Sequence, residues 1–366
     1  MSYDIRIAEP VISDEDIRMV VGALRERRLS GGKYVALFEA DLSAYLGGAE
    51  VVVVNSGTAS LHISIMALGI RPGDEIITTP FSITATSNVI VHMGAKPVFA
   101  DINPKTFNLD PQYVEGKVTE KTSAIMPIDY GGQVCDMDEL NEIAERHDLL
   151  VIEDAAPALG AIYGDRKAGT IGDAAGFSFF PDKNITTGEG GAAVFRESKH
   201  AETARILRKH GAQRRYHNTL IGYNWKMPDF AAALGISQLK RLDSIIKEKR
   251  RLARRYSDAF EKIDGIQPPY VEPRNEHSYT IYSILLDSFE SRQKTKRRLT
   301  EEGIETRINF PPIHEQPAFV GEFGNMGRYP VAERAGRRIL GLPIYPGLTE
   351  TQQDLVIDTI RRVVRQ

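Results

Sequence analysis

Between residues 50 and 195, short apolar runs rich in β-branched side chains alternate with amphipathic stretches. The runs fall at 51–54, 75–79, 96–100, 123–128, 149–153 and 191–195. Such alternation predicts an α/β fold built on a mostly parallel sheet with helices on both faces. Sheets of this kind bind ligands beyond the carboxyl ends of their strands, in the loops that lead into the helices. Earlier in the chain, Ser13 and Asp16, with Ile17, Val20, Val21 and Leu24 at helical spacing, mark a capped helix. Pro228 opens a long helical pattern through Ala231, Leu234, Leu239 and Leu242 toward Tyr256. The charge-rich stretch 247–255, with Glu248 among its basic residues, reads as a solvated face of that helix. Beyond residue 260, strand-like and helical segments recur until Thr349 and Gln352, a capping box for a final helix.

At 366 residues the chain exceeds what one core usually supports, roughly 250–300 residues. Two domains are predicted: a large one with an amino-terminal arm at 1–245, and a smaller α/β one at 246–366. Lys and Arg number 46 against 49 Asp and Glu, a net charge of −3 that gives no reason to expect a nucleic-acid partner. The single cysteine, Cys135, excludes an internal disulfide framework and a thiolate-rich metal site. The first ten residues carry Asp and Glu where a signal peptide needs a basic then apolar stretch, and no long apolar run follows. A cytoplasmic protein without a membrane span is expected. The eight histidines show no close spacing with carboxylates typical of zinc or iron ligation, so no metal is expected.

Three segments can carry chemistry. The run at 51–55 leads into Ser56-Gly57-Thr58-Ala59 and then a helical pattern, which presents backbone N–H groups, a hydroxyl and a helix dipole to one point. This suits a phosphate, although small residues also serve as plain caps. Glu153-Asp154-Ala155-Ala156 ends another apolar run, where an acid is costly to desolvate unless a cation faces it. A protonated pyridine nitrogen is such a cation; a helix cap is the alternative. Third, Lys183 lies between the aromatic residues 177–180 and the Gly-rich turn Gly188-Glu189-Gly190-Gly191, where a desolvated amine becomes a nucleophile toward an aldehyde. Ser178 can offer its hydroxyl to the same phosphate.

In this order the segments resemble the DegT/DnrJ/EryC1/StrS family of sugar aminotransferases, a branch of fold-type-I pyridoxal-phosphate (PLP) enzymes. The resemblance spans nearly the whole chain, from Leu29-Ser30-Gly31-Gly32 through Gly94-Ala95-Lys96-Pro97-Val98-Phe99 to Leu342-Pro343. Its most specific part is Thr186-Thr187-Gly188-Glu189-Gly190-Gly191 after the lysine. Gly222-Tyr223-Asn224-Trp225-Lys226-Met227 and Pro311-Pro312-Ile313-His314 also match. The resemblance implies an aspartate-aminotransferase-like large domain with PLP bound to Lys183 as a Schiff base and Asp154 on its ring nitrogen. It implies phosphate ligands Gly57, Thr58 and Ser178, further cofactor contacts from Ser56, Ile83 and Ala156, and Asn224 reaching the phosphate site of a partner in a homodimer. The implied donor is L-glutamate, and the acceptor a keto sugar on a nucleoside diphosphate, aminated at carbon 3 or 4 of the hexose in a ping-pong cycle.

A dehydratase subgroup has histidine in place of the lysine; position 183 is lysine, which favours transamination. Two departures stand out. Ile83 occupies a position where many relatives stack an aromatic ring on the cofactor, and Pro157 stands where relatives carry Gln or His. Tyr223, His314 and Arg307 are the candidate substrate residues. Two other functions fit the residues: amination of a keto-cyclitol, or a PLP-binding regulatory protein without turnover.

Overall fold

The computed structural model describes residues 3–364; residues 1, 2, 365 and 366, at the ends of the two expected domains, lie outside it. The apolar runs become strands because both of their faces are covered. In β1 (Glu50–Val54), Val51 and Val53 point into one core and Val52 and Val54 into another. β1 is followed by β2 (Glu75–Thr78), β3 (Lys96–Phe99), β4 (Thr122–Met126), β5 (Leu150–Asp154), β6 (Ala174–Ser178) and β7 (Gly191–Phe195). They form one sheet in the order β1-β7-β6-β5-β4-β2-β3, in which β7 alone runs antiparallel to its neighbours. The sheet is therefore mostly parallel, as the alternating pattern predicts. β6 falls outside the apolar runs because its residues, AAGFS, are mostly small.

The helices of this unit are α1 (Asp14–Arg25), α2 (Lys33–Tyr45), α3 (Gly57–Ala67), α4 (Thr84–His92), α5 (Met137–His147), α6 (Ser198–Leu207) and α7 (Asp229–Leu239). Residues of α3, α4 and α6, such as Ile63, Val89 and Ala201, fill the cores on one face; those of α2, α5 and α7, such as Phe38, Leu140 and Ile236, fill the core on the other. The cap of α1 has the expected form: Ser13 Oγ accepts from Asp16 N, and Asp16 Oδ2 accepts from Ser13 N at 2.8 Å.

The long helix expected after Pro228 is two helices, α7 and α8 (Leu242–Phe260). The chain breaks at Arg241 (φ −108°, ψ 0°), whose guanidinium reaches back to the Asp16 carboxylate and to Val11 O. Tertiary bonding outweighs helical continuity at that point. The boundary expected at 245/246 falls inside α8: Ile245 and Ile246 pack in the core against the large sheet, whereas Leu252, Tyr256 and Phe260 belong to a second core. That second core also takes Ile5 from the start of the chain. It is built on the antiparallel strands β8 (Ile266–Gln267), β9 (Tyr282–Leu286) and β10 (Ile339–Leu342), packed by α8, α9 (Phe289–Glu301) and α12 (Glu350–Val364), whereas α10 (Pro317–Phe323) and α11 (Pro330–Arg338) bury Phe319, Ala332 and Ala335 in another cluster. Thr349 caps α12, donating to and accepting from Gln352 as expected. A further cluster, with Phe81, Phe99 and Tyr130 against Ile313, Phe319 and Ile339, joins the two units.

The solvated-face reading of 247–255 holds for Lys247, Arg251 and Arg254 and fails at Lys249, which is 3% exposed. Position 249 lies three or four residues from Ile245, Ile246, Leu252 and Ala253, on the buried stripe of α8. Cys135 is buried, and its thiol donates to Ile128 O at 3.0 Å. Among the described residues no helix is long and apolar enough to cross a membrane.

Candidate active site

The carboxyl end of β5 and the connection from β6 to β7 place the candidate chemistry on the edge of the sheet where parallel strands end. Asp154 is the last residue of β5 and is 1% exposed. Its Oδ2 accepts from Thr86 Oγ1 at 2.6 Å, and its Oδ1 accepts from Ala156 N at 3.2 Å. Ser82 Oγ lies 2.7 Å from the same threonine hydroxyl. Burial pushes the Asp154 carboxyl above its ordinary value, against the pull of these two bonds and of the Lys183 charge. Glu153, one residue earlier, turns to the opposite side and accepts from the backbone N–H groups of Gly169, Ile171 and Gly172 at 2.6–2.7 Å. Strand alternation thus separates the two acids: Glu153 clamps a loop, and Asp154 is left facing the site.

Lys183 lies in the connection 179–190, with Nζ 3.8 Å from Asp182 Oδ1. The threonines and glycines after it set the shape of that connection. Thr186 Oγ1 donates to Phe179 O at 3.0 Å and accepts from Gly188 N at 3.0 Å, and Gly188 adopts φ +81°.

At the start of α3, Ser56 Oγ accepts from Ala59 N at 3.1 Å, so its hydroxyl serves as the helix cap. Gly57 faces Ser178 so closely that an added Cβ would lie 2.6 Å from Ser178 Cβ. Thr58 is exposed beside them. A helix amino terminus, a glycine without a side chain and a serine hydroxyl here form a cradle suited to a phosphate.

A cavity of about 380 Å³ opens at Lys183 and is lined by Ile83, Asp182, Arg307 and Asn309, together with Thr280 and Ile281. Both units contribute to it. Arg307 Nη1 pairs with Asp182 Oδ2 at 2.9 Å, which brings that substrate candidate beside Lys183. Ile83, 55% exposed at the cap of α4, borders the same space. A larger groove of about 1040 Å³ elsewhere, lined by Asp136, Asp138, Glu139 and Glu142, shares no residue with this cavity.

His314 and Tyr223 are not brought into it. His314 is buried where the two units meet, 3.5 Å from Glu333 and edge-on to Tyr329. Tyr223 stacks on Trp225 at 3.9 Å, on the exposed segment that also carries Asn224. His314, Glu315 and Glu333 come together closely enough for a metal, although the histidine spacing gave no sign of it; Glu333 arrives from another helix. Its oxygens already accept from Arg328 and from Tyr329 N. Sequence reasoning missed Thr86 and Asp182. The i, i+3 spacing of Ile83 and Thr86 could have shown the first, whereas Asp182 acts through folding. Pro157, in place of a polar neighbour, is buried, and its carbonyl accepts from Thr280 Oγ1 at 2.5 Å.

The profile of the DegT/DnrJ/EryC1/StrS aminotransferase family matches residues 10–361. The chain belongs to this family. It is 38% identical to the spore coat polysaccharide biosynthesis protein SpsC of Bacillus subtilis, over 97% of this chain and 96% of the relative. It is 36% identical to the GDP-perosamine synthase of Caulobacter vibrioides, over 98% of each. Spr1654 of Streptococcus pneumoniae, solved in its PLP form, superposes with a TM-score of 0.94 at 29% identity, over 100% of this chain and 99% of that one. The chain is thus a PLP-dependent aminotransferase with the fold of type I PLP enzymes.

The residues present fit the cofactor. A buried carboxylate with no cation bonded to it suits a protonated ring nitrogen, and the Gly57–Ser178 cradle suits the phosphate. Bound there, PLP supplies an aldehyde for an amine and a protonated ring that takes up electron density when a substrate carbon loses its proton.

Proposed function

We propose that this enzyme transfers the amino group of L-glutamate to a keto sugar carried on a nucleoside diphosphate, at carbon 3 or 4 of the hexose. The observation that carries this reading is Lys183 in the lining of a cavity shared by both units, with its charge acting on the buried Asp154 carboxyl. Lys183 would hold the cofactor through its aldehyde, and its amine, when free, is the group that would take up and return the proton of the substrate carbon as general acid and base. Asp154 remains ionised against the ring nitrogen, and Thr86 holds its carboxylate in place. Gly57, Thr58 and Ser178 bind the phosphate. Arg307 stands in the cavity for an anionic group of donor or acceptor. The relatives support a sugar as acceptor: one is a GDP-perosamine synthase and another a UDP-2-acetamido-2-deoxy-3-oxo-D-glucuronate aminotransferase.

The active site is shared between two copies of the chain. Asn224 lies on an exposed segment outside its own cavity, and Ile221 beside it is 95% exposed, an apolar surface that suits a partner subunit. The test is the visible spectrum of the purified protein and of Lys183→Ala, before and after L-glutamate. The wild type is expected to show the band of lysine-bound cofactor and to lose it with glutamate, and the variant to lack that band. Identical spectra for the two proteins would overturn the assignment of Lys183; a wild-type band that glutamate leaves unchanged would overturn the donor.

A further inference from the structure

Lys249 is an ammonium-bearing side chain on the buried stripe of α8, where its neighbours at helical spacing are Ile245, Ile246, Leu252 and Ala253. A methionine would pack there without the cost of burying an amine. Lys249 Nζ donates instead to Asn184 Oδ1 at 2.9 Å. Asn184 is the residue after Lys183, and its own amide donates to Leu159 O at 3.2 Å and to Ser278 O at 3.3 Å. One buried asparagine therefore ties the Lys183 connection to the loop after β5, to the segment before β9 and, through Lys249, to α8. A gap of about 10 Å³ lies between these parts, bordered by Glu9 from the amino-terminal arm, Asp182 and Lys183 from the connection, and Tyr345 from the segment after β10. Burial lowers the Lys249 amine to about 7; Asp182 opposes this and the Lys183 charge adds to it.

We propose that Lys249 is a positioning residue for Lys183, acting through Asn184 to hold the connection that carries the nucleophile and placing a second amine behind it. This rests on Lys183 being the cofactor-binding lysine. A rigid, hydrogen-bonded support keeps an active amine in its working geometry.

The test compares holoenzymes of the wild type, Lys249→Met, Lys249→Arg and Asn184→Ala, with thermal unfolding to show that each is folded. Borohydride reduction followed by peptide mass spectrometry first locates the cofactor; if it is not on Lys183, the reading of Lys183 fails and this inference with it. With the cofactor on Lys183, the induced circular dichroism of the visible band, which reports the geometry in which the cofactor is held, is expected to change by about half or more in Lys249→Met. Lys249→Arg should restore it toward the wild type. In cofactor-free protein, the rate of reductive methylation of Lys183 should change severalfold in Lys249→Met and in Asn184→Ala. A wild-type dichroic band and wild-type labelling rates in folded Lys249→Met would overturn the proposal while leaving Lys183 intact. If Lys249→Met does not fold, Asn184→Ala decides: altered labelling of Lys183 supports the link and unaltered labelling refutes it.

Discussion

Replacing Asp154 by Asn keeps the shape of the site and removes one charge, and the structure indicates what each change should do. The amide oxygen can still accept from Ala156 N, now made at 3.2 Å. The amide nitrogen can donate to Thr86 Oγ1, which then turns its own proton toward Ser82 Oγ, 2.7 Å away. The hydrogen-bond count is preserved, so the cofactor-free variant loses only the cost of a buried charge. Because burial raises the Asp154 carboxyl above 3.8, the folded chain retains a proton that the unfolded chain has released. Stability of the cofactor-free wild type should therefore fall as pH rises from about 3.8 through the folded value, and the Asn variant should lack this component. With PLP the balance reverses. A hydrogen bond between ionised groups contributes about 1.5–3 kcal/mol, so its loss should weaken PLP binding by roughly ten- to a hundredfold. Calorimetry of the cofactor-free proteins at several pH values, with an absorbance titration of PLP, measures both. Equal PLP affinity in the two proteins, with no gain in stability for the cofactor-free variant, would refute the assignment of Asp154 to the ring nitrogen.

Gly57→Ala would set a methyl 2.6 Å from Ser178 Cβ and 3.2 Å from its Cα; overpacking should cost about 1–3 kcal/mol in thermal unfolding, and PLP affinity should fall with it. Glu333 is held down to about 2, chiefly by Arg328, so its contribution is complete above the ordinary carboxyl range and lost as pH falls toward about 2. Glu333→Gln should lower stability in urea by about 1–3 kcal/mol, with that acid-range component gone. The wild type should also gain stability as pH rises from about 7 toward about 10.5, because the unfolded chain keeps a proton that the Lys249 amine has lost; Lys249→Met should lack this slope in denaturant titrations across that range. If Asn224 serves the partner's site, mixing inactive Asn224→Ala with inactive Lys183→Ala should restore part of the activity, because one site of the mixed dimer keeps both residues. No recovery on mixing would mean that Asn224 acts elsewhere.

Much of this protein was legible along the chain, because the features concerned are local. Apolar periodicity depends on residues a few positions apart, so β1 to β5, β7, the cap of α1 and the cap of α12 could be read directly. Asp154 and Lys183 could be singled out beside strand signals too, although a helix cap was an equal reading of the first and their cofactor roles rest on the family resemblance. Even the burial of Lys249 was written in the spacing of α8, where the charge of its neighbours concealed it. Other features depend on parts of the chain far apart in sequence. Arg241 ends a helix because Asp16 waits more than two hundred residues earlier; Glu153 and Asp154 differ in role because a loop supplies three N–H groups to one and Thr86 a hydroxyl to the other. Arg307 enters the cavity and His314 does not because the second unit packs one against Asp182 and the other against Glu333. Short-range pattern determined which segments became strands and helices and which residues could do chemistry, while long-range packing, which decides the partner of each buried charge, determined which of them share the site.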